Sequence, residues 1–208
     1  MSRWWWLYVG WMMGLGSQAE EVKLGDLLVD TVERSVTLPV EVNQRSGIVE
    51  FFLVHEQGKV HEASFKTSCS PVEVNAALRL LGLSGDEEGH ERAASREDLS
   101  QSAKVKVEVW HPTRADWVRA DAFISYAGSH QSEGAYQWAY IGSYFHTGRF
   151  MAKVEGDLIS IYTASSALIQ LDHPDRDDDR QWTAKVPQDF GDAEETKLKV
   201  TIVSGGES

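Results

Sequence analysis

Ile48-Val49-Glu50-Phe51-Phe52-Leu53-Val54-His55 is the run on which the fold turns. It is apolar nearly throughout, which predicts a central strand covered on both faces. Glu56-Gln57-Gly58-Lys59 supplies turn residues, and Val60 to Phe65 is strand-like again, so the two runs predict a β-hairpin. Ser70 follows as a good N-cap, Pro71 suits the first helical position, and Glu73 is placed to close a capping box. Val74, Ala77, Leu78 and Leu81 keep the i, i+3, i+4, i+7 spacing of one buried face, and Gly82 is the stop. The spacing predicts a helix over 71–81, packed on the sheet made by the hairpin.

Working outward, short strand-like runs dominate. Leu24 to Asp30 and Ser35 to Val42 precede the hairpin, and Pro39 predicts an edge strand for the second. Beyond the helix, Leu83 to Ala103 is polar, acidic and without periodicity, which reads as a surface loop. Strands are expected at Lys104 to Trp110, Trp138 to Ile141, Arg149 to Val154, Leu158 to Tyr162, Gln181 to Val186 and Thr196 to Val203. Gly156-Asp157 reads as a hairpin turn, Ser165 to Leu171 as a short helix, and His173 to Arg180 as an acidic loop. There is no internal repeat and no βα alternation. The expected class is α+β: a mostly antiparallel, sheet-rich single domain over 20–208 with one principal helix.

The first 19 residues have the layout of a secretory signal. Arg3 is basic, Trp4 to Leu15 is apolar, and Gly16-Ser17-Gln18-Ala19 ends in small residues. Twelve apolar residues fall short of the roughly 20 that cross a bilayer as a helix. No transmembrane segment is therefore expected in the mature chain, and the protein is expected outside the cytoplasm. The full chain of 208 residues carries a net charge of −12. Removing the leader leaves 19 Lys+Arg against 32 Asp+Glu, a charge of −13. Such a surface excludes the basic face that nucleic acid requires, Lys104-Val105-Lys106 being the only basic cluster. The single cysteine, Cys69, excludes an internal disulfide, a Cys-ligated iron–sulfur cluster and a Cys-rich zinc site. Cys69 precedes the helix N-terminus and reads as a buried structural thiol.

Several segments resemble YdjY-like domains. Val49-Glu50-Phe51-Phe52-Leu53-Val54 with Gly58-Lys59-Val60-His61-Glu62-Ala63 resembles that family's hairpin, and Ser70-Pro71 with Ala76 to Gly82 resembles its following helix. Tyr140-Ile141-Gly142-Ser143-Tyr144-Phe145 is similar to its aromatic-x-Gly-Ser-x-Phe segment. Gly156 to Ile161 and Ala167-Leu168-Ile169 are similar to its later strand and turn. The order of the segments, over about 22–203, carries the likeness. It implies a secreted or periplasmic bacterial domain and no particular chemistry. Some members carry a ferredoxin-like label, from which this chain departs because Cys69 stands alone.

Four constellations could carry chemistry. His55-Glu56 and His61-Glu62 flank one turn; if Gln57-Gly58 are its central residues, the two histidines point to opposite faces. Glu50, His61 and Glu62 are the metal candidates, with His111 or His146 as distant partners, but each face offers two ligands where zinc takes three or four. The bland alternative is a His61–Glu62 hydrogen bond that holds the turn. Asp172-His173-Pro174-Asp175-Arg176-Asp177-Asp178-Asp179 is rich in oxygen ligands. An EF-hand count from Asp175 fails at Arg180 and Val186, so a solvated loop is expected. Gly142-Ser143 and Gly128-Ser129-His130 lack the G-x-S-x-G of a nucleophile elbow. Gly142-Ser143 reads instead as a sharp turn with Tyr144 and Phe145 packing inward. Trp110, Trp117, Trp138 and Trp182 with Tyr136, Tyr140 and Tyr144 could line an aromatic groove or simply fill the core.

The reading that follows is a non-catalytic extracytoplasmic module that binds a protein or another cell-envelope partner. No cofactor is implied. The alternative is a metal-binding protein or metal-dependent enzyme built on the His61-Glu62 segment.

Overall fold

In the computed structural model, residues 21–84, 89–95, 99–128, 136–190 and 196–203 are described. The leader at 1–19, the acidic residues Asp86, Glu87, Glu88, Glu97 and Asp98, and Ser129-His130 lie outside them. Seven strands open the described chain: β1 (Glu21–Leu24), β2 (Leu27–Asp30), β3 (Ser35–Pro39), β4 (Glu41–Val42), β5 (Ser46–Ile48), β6 (Phe51–His55) and β7 (Ala63–Thr67). Helices α1 (Pro71–Leu80) and α2 (Gly89–Ala94) follow. Then come β8 (Lys104–His111), β9 (Asp116–Arg119), β10 (Ile124–Tyr126), β11 (Gln137–Tyr140), β12 (Phe145–His146) and β13 (Arg149–Phe150). Helix α3 (Met151–Glu155) leads into β14 (Asp157–Ser160), β15 (Ile169–Asp172), β16 (Trp182–Lys185) and β17 (Lys197–Ile202).

Twelve strands form one mixed sheet in the order β1-β2-β3-β17-β8-β11-β15-β14-β6-β7-β4, with β9 paired to β8. The α+β class holds, but the sheet is large and mixed, not simply antiparallel. The expected hairpin is the clearest correction. The turn forms, with Gly58 N–H on the His55 carbonyl at 2.8 Å, yet β6 and β7 run parallel, Phe51 beside Ala63 and Leu53 beside Phe65. Residues 56–62 turn back through a 3₁₀ turn at Val60–Glu62 before β7 begins. Seven residues of chain reach at most about 23 Å, enough to return along about 17 Å of strand. Turn residues tell where a chain reverses, not whether the reversed segment pairs or merely travels back.

The same device recurs next door. β14 and β15 are also parallel, joined by residues 161–168, where a short helix was expected over 165–171. β14 lies antiparallel to β6, so two parallel pairs stand back to back. Parallel neighbours usually need a crossover of about a dozen residues or more; here two tight loops replace the helices. Val60 and Ala164 from these loops pack with Phe51, Val54 and Ala63. Gln170, wholly buried, fixes the second loop: its Nε2 donates to the carbonyls of Ile161 and Tyr162 at 3.2 and 3.1 Å, and its Oε1 accepts from Ala164 N–H at 3.0 Å.

Helix α1 forms as its spacing predicts. The Ser70 hydroxyl accepts from Val72 N–H, and Pro71, Val74, Ala77 and Leu78 are buried. Gly82 at φ +98° stops the helix, with Leu83 N–H on the Leu78 carbonyl and Gly82 N–H on that of Arg79; this is the paired bonding of a Schellman cap. The helix lies mainly against β2, β3 and α3, not on β6 and β7 as expected, and Asn75 accepts from the Tyr140 hydroxyl at 2.6 Å.

Other expectations are corrected. β3 is an interior strand between β2 and β17, not an edge. Pro39 is its exposed last residue, and the ladder resumes at Val40 N–H, so the missing donor interrupts little. Gly156-Asp157 is no hairpin turn: Gly156, at φ +79°, ends α3 and releases the chain into β14. The stretch 83–103 is not all surface loop. It contains α2, and Ala93 and Leu99 are buried against Ala139, Ile141 and Ala167.

Candidate functional site

The residues singled out from sequence do not converge. His61 sits on the 3₁₀ turn with its side chain 74% exposed, and its Nε2 lies 3.3 Å from Glu62 Oε1. Glu50 borders the same segment through its backbone: its N–H donates to the Glu62 carbonyl at 2.9 Å, and its carbonyl accepts from Ile161 and Tyr162 at 2.8 Å. Because β6 and β7 are parallel, the antiparallel register that placed His55 and His61 on opposite faces does not exist. His111 is buried edge-on to Phe190, its Nδ1 accepting from Arg114 N–H, while His146 is exposed on β12. Among the described residues no three His, Cys, Asp or Glu side chains group as a metal site requires. Two ligands, His61 and Glu62, are the most this segment brings together.

Gly142 and Ser143 both take positive φ, +75° and +57°. The Ser143 hydroxyl accepts from Ala152 N–H at 2.9 Å and so caps α3. Phe145 is not packed inward but 72% exposed, resting on Phe150 across the β12–β13 hairpin. Cys69 is buried, and burial pushes its thiol up, partly offset by a hydrogen bond from Thr67. The acidic run at 172–179 is better anchored than a solvated loop. His173 and Arg176 are buried, Tyr126 donates to the Asp175 carboxylate, and the rings of Tyr126, Tyr136, His173 and Trp182 pack together. The aromatic candidates do not share one groove. Trp110 packs on Trp117, Trp138 on Phe52 and Tyr144 on His90, while Tyr140 is buried against Asn75.

Two polar constellations emerge instead. The first is Asp157, wholly buried at the start of β14. Lys59 Nζ meets both its oxygens at 3.1 and 3.0 Å, Ser166 donates its hydroxyl to it, and Glu155 lies 3.3 Å from the same ammonium. Burial alone would lower the Lys59 pKa, but Asp157 and Glu155 outweigh it and hold it above its usual 10.5. A lysine kept protonated in this way is no general base. Asp157 thus ties both crossover loops to the sheet.

The second is a groove of about 290 Å³ lined by Lys104, Val105, Lys106, Arg119, Tyr136, Gln137, Trp138 and Val203. It opens where β8 changes neighbours. β11 pairs β8 at Lys104 and Val105, whereas β9 pairs β8 from Glu108 onward. The two neighbours part at Lys106 and Val107, and a clamp bridges them: Arg119 Nη2 donates to the Tyr136 carbonyl at 3.1 Å, while Arg119 Nε and Tyr136 N–H each reach Asp121 Oδ2 at 3.1 Å. Val203, 49% exposed, and the aliphatic stems of Lys104 and Lys106 supply apolar surface, while Val105 and Trp138 lie buried beneath it. The buried Trp138 Nε1–H has no acceptor among the described residues. Burial, aided by Asp121, pushes the Tyr136 phenol up, so it stays a donor at neutral pH. Lys104-Val105-Lys106 was visible as the only basic cluster. Arg119 had no sequence signal, because nothing in the sequence pairs β9 with β8.

Comparison with protein-family models, curated proteins and solved structures finds no match for this chain. The likeness to YdjY-like domains therefore rests on its quoted segments.

Proposed function

We propose that the protein is a non-catalytic binding module of the bacterial cell envelope, exported by its leader, and that it takes its partner in the groove between β9 and β11. The groove itself carries the reading. It is concave, its exposed lining is mostly apolar, and among its described lining residues are three cations and no carboxylate. A small set of converging polar groups over apolar walls is the usual make-up of a ligand site. In a chain of net charge −12, three cations gathered on one lining, each matched by an acid just outside it, set this place apart from the rest of the surface. The extracytoplasmic address is supported by Arg3, the Trp4–Leu15 run and the small residues ending at Ala19, together with the YdjY-like segments.

The test is site-specific photocrosslinking in bacteria producing the full chain. A crosslinker at Gln137, in the groove, is expected to give a discrete adduct that Arg119→Gln abolishes. The same group at the exposed Ser46, outside the groove lining, is expected to give none. Equal labelling at both positions, or none at Gln137, removes the groove as the partner site. N-terminal sequencing of the periplasmic product is expected to begin near Glu20; an intact leader on cytoplasmic protein would overturn the address.

A further inference from the structure

Resting on the reading of this groove as the binding site, we infer that its ligand is a small organic monocarboxylate with an apolar body. The lining donates hydrogen bonds far more than it accepts them. Lys104 Nζ spends two donors, on the Leu99 carbonyl at 2.8 Å and on Asp172 at 2.7 Å. Lys106 meets Glu108 at 3.0 Å. Arg119 uses Nε on Asp121 and one Nη2 proton on Tyr136. An ammonium has three N–H donors and a guanidinium five, so each cation keeps donors beyond these contacts. Asp172, Glu108 and Asp121 neutralise the cations from outside the lining, and none of them lines the groove.

That arrangement selects the ligand's chemistry. Spare charged donors call for a group that only accepts, and a carboxylate does so in the paired geometry that Arg favours. The paired acids leave little net positive charge, too little to favour a doubly charged phosphate over a singly charged carboxylate. The exposed Val203 and the lysine stems beside it call for an apolar body. About 290 Å³ lies at the low end for small-molecule pockets, which limits that body to a single ring or a short chain.

Benzoate, its neutral isostere benzamide and inorganic phosphate are the probes, titrated into the isotopically labelled exported chain and followed by amide and indole NMR. Benzoate is expected to shift the resonances of Lys104 to Lys106, Arg119, Gln137 and the Trp138 indole saturably. Benzamide and phosphate are expected to bind at least tenfold more weakly. Lys106→Gln is expected to weaken benzoate about tenfold, the loss of one charge-assisted hydrogen bond. Its melting temperature should fall by a few degrees at most, because Lys106 is half-exposed and the buried Glu108 keeps Lys199 at 4.0 Å. Equal shifts from benzamide and benzoate would overturn the monocarboxylate while leaving the groove a ligand site. Preference for phosphate would overturn it in favour of another anion. No shift from any probe would overturn it too, and the Gln137 crosslink would still judge the groove separately.

Discussion

Lys59→Met and Asp157→Asn break the same ion pair from opposite ends, and the structure makes the two losses unequal. Asp157 is wholly buried, whereas the Lys59 side chain is 35% exposed. Removing Lys59 leaves a buried carboxylate held by the Ser166 hydroxyl alone, the situation that costs about 3–5 kcal/mol when both partners are deep. Partial exposure of Lys59 brings the expectation to about 2–3 kcal/mol. Removing the charge of Asp157 leaves Lys59 with water and Glu155, and the expected cost is about 1 kcal/mol. For a chain of this size each kcal/mol moves the melting temperature by about 2–4 °C. Lys59→Met should therefore melt about 5–10 °C low and Asp157→Asn about 2–4 °C low, and the double variant should recover part of the Lys59→Met loss. Lys59 also gives the wild type an alkaline signature. Its folded pKa lies above 10.5, so its contribution is complete below 10.5 and disappears as pH rises through the folded value. Thermal melts and urea titrations at neutral pH, repeated between pH 9 and 11.5, make the measurement. Asp157→Asn as damaging as Lys59→Met would refute the reasoning, since it would mean that the buried charge is not what Lys59 compensates.

Three further outcomes follow from the same geometry. Gly156→Ala forces φ +79° on an L-residue and brings its Cβ to 2.7 Å from Gly58 Cα; a loss of about 2–4 kcal/mol is expected in urea denaturation. The Tyr140 phenol is pushed up to about 12 by burial, so folding stability should fall between pH 10 and 12 as the unfolded chain ionises first. Tyr140→Phe should remove this phenol's share of the decline and leave the share due to Lys59, as read from melts across the interval. Chelation with EDTA should leave the melting temperature within a degree, and zinc should not raise it in a way that His61→Ala abolishes.

Helix α1 was legible because its signals are local: a cap, a proline, one apolar face and a glycine all fall within 70–82. The extents of β8 and β17 were legible for the same reason, as alternation is a property of a strand's own residues. Pairing is not. Nothing between His55 and Ala63 distinguishes a hairpin from a chain that folds back and re-enters parallel; the contacts that hold this turn, such as Gly58 against Gly156, come from nearly a hundred residues away. Pro39 shows in the sequence as a lost donor, whereas its place at the end of its strand shows only in the fold. The groove was half visible. Lys104 and Lys106 could be counted, but Arg119 and Tyr136 join them only because β9 and β11 share one neighbour.

The position of β17 has a consequence for how the chain can mature. Within the main sheet the meander β1-β2-β3 reaches the remaining strands only through residues 197–202, inserted between β3 and β8. Until that late strand arrives, β3 and β8 each show a bare edge of unpaired N–H and C=O groups. A chain emerging N-terminus first therefore cannot join the two parts of this sheet until residues 197–202 have been made. The same delay leaves two edges open to mispairing while the chain is incomplete.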